Sequence, residues 1–322
     1  MCPASLFGFV ATVPAPAPMA YPRQNAAVPG GAAMTADRTV AQIFRDFRQP
    51  VSFEIFPPKG ELSAEEARSL AADLAPLDPA FVSVTYSAGG SGNAGPTVEV
   101  ASMIQRDHGI PTVAHLTCQG LTRAALAEKC AQMRAAGIRN VLALRGDPRP
   151  DVGPGDFEHA SDMIPFLVDE GFCVGAAAYP EGHISCLDPE VDVAYLRAKQ
   201  DAGASFLLTQ LCFDNEACCR FRERCDKAGV TVPVSFGIMP FMSKSQVSRM
   251  VFMCAASMPA AVVKLLARYE DDPEALRAAG VEYACDQLAD LAAHGVDGLH
   301  VYTMNRPGVA AACAAAARGE GR

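Results

Sequence analysis

From Thr39 onward the chain alternates between two hydrophobic rhythms. Short runs dense in Val, Ile, Ala and Phe predict buried strands, because β-branched and aromatic residues suit a packed sheet. They are VSFEIF at 51–56, AFVSVTY at 80–86, PTVAHLTC at 111–118 and NVLALRGD at 140–147. CVGAAAYPE at 173–181, SFLLTQLCFD at 205–214, VPVSFGIMP at 232–240 and GLHVYTMN at 298–305 complete the set. Between them lie segments of helical period: SAEEARSLAADLAPL, TRAALAEKCAQMRAAG, DVAYLRAKQDAGA and NEACCRFRERCDKAGV. Gly137, Gly203 and Gly229 stand where helices commonly end on a left-handed residue. Ser63 and Glu66 have the spacing of a capping box. The longest interval, Phe241 to Asp297, holds helical stretches at 261–268 and 273–294.

Strand-like runs that are apolar throughout, each followed by a helix and spaced by roughly 30 residues, predict parallel pairing covered on both faces. The predicted fold is therefore α/β, a (β/α)8 TIM barrel with extra helices between strands 7 and 8. The alternative is an open doubly wound sheet, but G-x-G-x-x-G is missing after the first strand. GGSGNAG at 89–95 follows the second strand and reads as a loop. Residues 1–37, rich in Pro and Ala, are expected to be a flexible tail, with Met34 the natural start of the folded protein. Residues 38–322 are expected to form a single catalytic barrel.

Net charge is −9, which argues against a nucleic-acid partner, since phosphate backbones call for basic surface. No apolar run reaches transmembrane length, so no membrane association is expected. The 12 Cys lack paired metal-ligand spacing, and their apolar neighbourhoods suit reduced thiols used as small hydrophobes in a cytoplasmic protein. No metal site is expected. Cys218, Cys219 and Cys225 form the one cluster, on a helix that could face a neighbouring subunit or pack in the core.

In such a barrel the chemistry collects at the C-terminal strand ends. Polar residues there are Glu54, Thr85 with Tyr86, His115 with Thr117, Arg145-Gly146-Asp147, Tyr179 with Glu181 and His183, Gln210 with Asp214, and Tyr302 with Asn305 and Arg306. Singly, each has a plain structural explanation: a satisfied core histidine, an Arg145–Asp147 pair, ordinary strand ends. Glu54 resists this, because a carboxylate inside an apolar strand is costly unless paired or kept protonated. A buried amide such as Gln210 likewise needs partners.

In order and spacing, FEIFPPK, FVSVTYSAGGS, HLTC, NVLALRGDP, AAAYPEGH, DAGASFLLTQLCFD, GIMP and HVYTMNR resemble the motifs of methylenetetrahydrofolate reductases, from about Gln49 to Gly308. The resemblance is to the short bacterial form. It implies an FAD-containing barrel in which NADH or NADPH reduces the flavin. The flavin then reduces 5,10-methylenetetrahydrofolate to 5-methyltetrahydrofolate, the two substrates taking turns at one site. Glu54 matches the family's general acid and Asp147 the carboxylate beside flavin and pterin. Gln210 matches the amide that contacts the pterin, and Tyr302 and Arg306 the aminobenzoyl-glutamate contacts. Thr85, His115, Leu144, Arg145, Gly146, Asp147, Tyr179, His183, Asp192 and Lys199 fall at flavin-contact positions, with Arg145 and Lys199 suited to the pyrophosphate.

On this basis Glu54 is expected to stay protonated because an apolar strand raises a carboxyl pKa, with Asp147 helping to disfavour its ionisation. Some positions depart from the common pattern. Pro148-Arg149-Pro150 follows Asp147, Leu211-Cys212 replaces an aromatic pair, and Met242, Met250, Met253 and Met258 crowd a segment expected to pack in the core. The donor stays open between NADH, NADPH and a partner subunit, and a homo-oligomer is compatible with the family. A flavin barrel with another substrate, and a non-catalytic barrel serving as a binding subunit, are the alternatives.

Overall fold

The computed structural model describes residues 34–57, 64–86, 95–147 and 152–320. Eight parallel strands close on themselves in sequence order: β1 (Val51–Ile55), β2 (Val82–Val84), β3 (Thr112–Thr117), β4 (Asn140–Leu144), β5 (Cys173–Ala178), β6 (Phe206–Thr209), β7 (Val234–Ile238) and β8 (Gly298–Tyr302). Every neighbouring pair is parallel, and β8 closes onto β1 with Ser52 opposite His300 and Glu54 opposite Tyr302. The predicted barrel is thus the observed fold. No helix among the described residues is long and apolar enough to cross a membrane.

The period-2 alternation of each strand divides its side chains between two cores. Phe53, Ile55, Val84, Leu116, Val141, Val174 and Val301 belong to one large buried cluster with residues of the surrounding helices. These are α2 (Ala64–Leu74), α3 (Gly95–His108), α4 (Arg123–Ala135), α5 (Ala160–Asp169), α6 (Pro189–Asp201), α7 (Asn215–Lys227), α10 (Pro273–Ala293) and α11 (Pro307–Arg318). Phe81, Val113, Leu142, Phe206 and Leu208 form a second cluster, which also takes in Val40 and Ile43 of α1 (Val40–Asp46). That short helix was not anticipated from the sequence. It is capped reciprocally by Thr39 and Gln42, and Asn140 accepts the Val40 N–H at 2.8 Å. A Cβ on Gly298 would lie 2.7 Å from the Phe44 ring, so α1 packs directly on the start of β8.

Between β7 and β8 the chain inserts α8 (Lys244–Cys254) and α9 (Ala260–Arg268) ahead of α10 (Pro273–Ala293). They share a third cluster with Leu211, Phe213, Met239 and Phe241 at the ends of β6 and β7. Met250 and Met258 pack against it as expected. Met253 does not: it is 59% exposed, beside Phe252 at 81%. On α7, Cys218 and Cys225 are buried in the core, whereas Cys219 is only partly covered.

Gly137, Gly203 and Gly229 all have positive φ. After each, the next N–H reaches back to the last helical turn, as in Ile138 to Met133 O at 2.9 Å. Ser63 of the expected capping box, the bulk of 89–95, the Pro148–Pro150 departure and residues 1–33 of the expected tail lie outside the described residues.

Candidate active site

Glu54 lies on β1 with its side chain 15% exposed, and Oε2 is the oxygen turned toward its polar neighbours. Ser83 Oγ on β2 donates to it at 3.2 Å, His300 Nε2 on β8 stands at 3.3 Å, and His115 Nε2 on β3 at 3.6 Å. Parallel register brings these four strands' residues together: Glu54 pairs with Ser83 across β1–β2, and β8 runs alongside on the other edge.

This arrangement corrects the expected origin of the acid's tuning. Desolvation is the largest influence on Glu54 and pushes its pKa up, but the neighbouring imidazoles and the Ser83 hydroxyl together outweigh it. The carboxyl is held below its ordinary value, and Asp147 is not among the principal influences. Burial alone does not keep this proton. His115 is itself pushed down, chiefly by burial, with Glu54 opposing. It also meets Ser83 Oγ at 3.0 Å.

A second group surrounds a cavity of about 270 Å³ whose walls include Leu144, Arg145, Tyr179, His183, Asp192 and Lys199. Six of the residues expected to contact the cofactor therefore converge. Lys199, in the last turn of α6, donates to Ala177 O at 2.9 Å, and burial pushes its pKa down to about 8 despite Asp192 nearby. Burial raises Asp192. His183 is lowered by burial and then by Arg145, and its ring meets Tyr179 edge-on at 4.7 Å between centroids. Gly146 is left-handed at φ +87, and a Cβ there would lie 3.1 Å from Thr117 Cβ. Only glycine fits this turn comfortably. With Gln119, Gly120 and Arg145, Gly146 lines another cavity of about 430 Å³, and Arg145 borders both cavities.

The remaining expected residues are placed more loosely. Tyr302 Oη donates to Thr209 O at 2.8 Å, and its ring fills the space that Gly237 leaves: a Cβ there would lie 2.6 Å away. Gln210 Oε1 accepts the N–H of Leu211 at 2.8 Å. Thr85 donates its N–H to Ile55 O, Asp147 is exposed beyond Gly146, and Arg306 is exposed at the N-cap of α11. No Arg145–Asp147 ion pair forms among the described residues.

Other strand-end polar residues prove architectural. Asp214 caps α7, and Glu181 accepts the Ser257 N–H at 3.0 Å, tying down the connection between α8 and α9. Asn305 brackets Phe56, accepting its N–H at 3.1 Å and donating to its carbonyl at 2.8 Å, while Thr303 Oγ1 donates to Glu54 O at 2.8 Å. Met304 and Asn305 adopt positive φ at this turn. Non-glycine residues there are strained by about 1–3 kcal/mol, which the clamp on β1 offsets. The sequence reading missed His300, Ser83 and Ser52. Their signal was parity: each is a polar residue at an alternating position in an otherwise apolar strand.

The Methylenetetrahydrofolate reductase family profile matches residues 39–317. The chain is 35% identical over 257 residues to 5,10-methylenetetrahydrofolate reductase of Pectobacterium carotovorum, covering 80% of this chain and 86% of that one. It is 34% identical over 276 residues to methylenetetrahydrofolate reductase 2 of Schizosaccharomyces pombe, where 79% of this chain spans only 43% of the relative's length. Among solved structures, an uncharacterized Clostridium thermocellum protein that binds two copies of 5-methyl-5,6,7,8-tetrahydrofolic acid superposes with a TM-score of 0.63. It covers 86% of this chain and 96% of its own at 15% identity, a likeness of barrel fold alone. With a family profile covering nearly all the described barrel, and a bacterial relative aligned over most of its length, the chain belongs to the methylenetetrahydrofolate reductase family.

Proposed function

We propose that this protein reduces 5,10-methylenetetrahydrofolate to 5-methyltetrahydrofolate, using FAD and a nicotinamide donor. The observation that carries this reading is a carboxyl inside the barrel, ringed by Ser83, His115 and His300, in a chain whose adjoining strand ends form a basic cavity. Three donors, Arg145, His183 and Lys199, line that cavity, and cationic forks and ammonium groups suit a diphosphate. The left-handed Gly146 lets main chain approach a ligand closely. These features fit FAD. When bound, FAD supplies hydride acceptance from the nicotinamide and hydride donation to the folate one-carbon unit.

The residues then divide the remaining work. Glu54 delivers a proton to folate N10. The N10–methylene bond breaks with its electron pair left on N10, and N5 becomes the iminium that accepts hydride. Asp147 stabilises the positive charge that develops there. Gln210 and Tyr302 orient the pterin and aminobenzoyl groups, and Arg306 offers a forked donor to the glutamate carboxylate. Thr85, His115, Leu144 and Tyr179 line the flavin side, and Asp192 restrains Lys199.

The test is spectroscopic. The purified protein should be yellow, bleach anaerobically with NADH or NADPH, and recover its colour on adding methylenetetrahydrofolate. A colourless protein, or one reoxidised only by oxygen, refutes the reading.

Lys199 adds a pH dependence. It is cationic below about 8 and neutral above, so diphosphate affinity should fall as pH rises through that value. Titrating flavin-stripped protein with FAD should show about tenfold weaker binding per unit across part of this range. Lys199→Gln should bind more weakly at low pH and flatten the profile. An unchanged slope in that variant counts against the placement.

A further inference from the structure

We propose that Glu54 and His300 hold one transferable proton between them, so that the acid presented to folate N10 is the pair and not the carboxyl alone. This rests on the reading of Glu54 as the acid. His300 is fully buried and lies within 3.3 Å of Glu54 Oε2 through Nε2. Its other nitrogen, Nδ1, meets Ser52 Oγ at 2.7 Å, and the Ser52 hydroxyl is directed to Leu299 O at 3.2 Å. A hydroxyl has one hydrogen. If Ser52 commits it to Leu299, the hydrogen between Ser52 and His300 belongs to Nδ1. His300 Nε2 is then either bare, facing a carboxylic acid, or protonated, facing a carboxylate. Both forms have the same composition and zero net charge.

The surroundings favour this sharing. Facing the pair are Ser83 and His115 from β2 and β3, and Tyr302, next-but-one to His300 on β8, whose phenol is held neutral by burial and by Glu54. His115 stands farther from Oε2 than His300, and burial drives it toward the neutral form. The ring of Phe81 lies 6.0 Å from His300 on an apolar side. His300 is therefore the imidazole placed to share the proton. A carboxyl pulled below its ordinary pKa can still serve as the source, because the proton it gives up moves only to Nε2 and stays in the barrel. On delivery, the Glu54 O–H bond breaks and N10–H forms. The pair is left as carboxylate and neutral imidazole, one negative charge opposite the substrate's iminium. Solvent later restores the proton, and no electron moves in this step.

The experiment uses flavin-loaded enzyme reduced anaerobically with dithionite, which bypasses the nicotinamide. Reoxidation by methylenetetrahydrofolate is followed across pH for wild type, His300→Gln, Ser52→Ala and Glu54→Gln. Gln at position 300 can donate to Oε2 but cannot carry the proton. Its high-pH decline in rate should move down by about one unit, with a roughly tenfold loss above that point and near wild-type rates well below it. Ser52→Ala should shift the decline in the same direction by less. It keeps the test alive should His300→Gln fail to fold.

Nitrogen NMR of isotope-labelled histidines at one fixed pH gives a readout apart from activity: the His300 Nε2 signal should move in Glu54→Gln, because the proton it shares with the carboxyl is gone. A high-pH decline that stays in place or rises in the His300 and Ser52 variants overturns the pair, as does an unmoved His300 Nε2 signal. Normal reoxidation of Glu54→Gln would instead overturn the assignment of the acid itself.

Discussion

A Glu54→Gln variant should purify with flavin and still be bleached by NADH or NADPH, yet reduce methylenetetrahydrofolate roughly 10²–10⁴-fold more slowly than wild type, the usual range for loss of a positioned acid. The amide is nearly the carboxyl's shape, so Ser83 and the two imidazoles keep a neighbour of similar size while the proton source disappears. Stopped-flow absorbance on the two half-reactions separates the effects. Loss of both at once would indicate a damaged flavin site; loss of neither would remove Glu54 from the chemistry. Its position supports selective loss of the folate half-reaction, since the carboxyl lies inside the barrel and touches Ser83, His115 and His300, none of them in the walls of the cavity held by Arg145 and Lys199.

Gly280→Ala should destabilise the protein, although it lies within α10, where helix propensity alone favours Ala by about 1 kcal/mol. A Cβ there would lie 1.9 Å from the carbonyl oxygen of Phe241 and 2.8 Å from its ring. The first neighbour is backbone and cannot rotate away. Overpacking costs of about 1–3 kcal/mol are common, and this contact with rigid main chain belongs at or above the upper end. Net loss should be about 2 kcal/mol, lowering Tm by roughly 5 °C. Because Phe241 joins the cluster that carries α8 and α9, proteolysis of that insertion should also accelerate. A raised Tm would mean that α10 does not approach Phe241 this closely.

These two residues show different degrees of legibility. Glu54 announces itself, because its neighbours Val51, Phe53 and Ile55 make a carboxyl conspicuous. Gly280 does not: inside RAAGVEYA it looks like a mere weakness in a helix. Of the converging residues, Arg145, Tyr179 and His183 were readable as strand-end polar positions, since a closed barrel brings such ends to one rim, whereas Leu144, Asp192 and Lys199 entered only through the family resemblance. Gln210 and Arg306 were readable as candidates, but Gln210 Oε1 accepts the Leu211 N–H and Arg306 is exposed.

Strand and helix periods, C′ glycines and the spacing of β/α units are local properties, so the chain's own order of residues was sufficient to determine a parallel barrel and the rim on which its chemistry collects. What neighbours do to a titratable group depends on distance across strands far apart in the chain. Glu54 and His300 are brought within hydrogen-bonding range only when β8 closes onto β1, and that closure reversed the expected direction of the carboxyl's pKa. The same closure decided that Ser52 braces His300 and that Asn305 clamps Phe56. Such contacts are set by register, and register exists only once the barrel has formed.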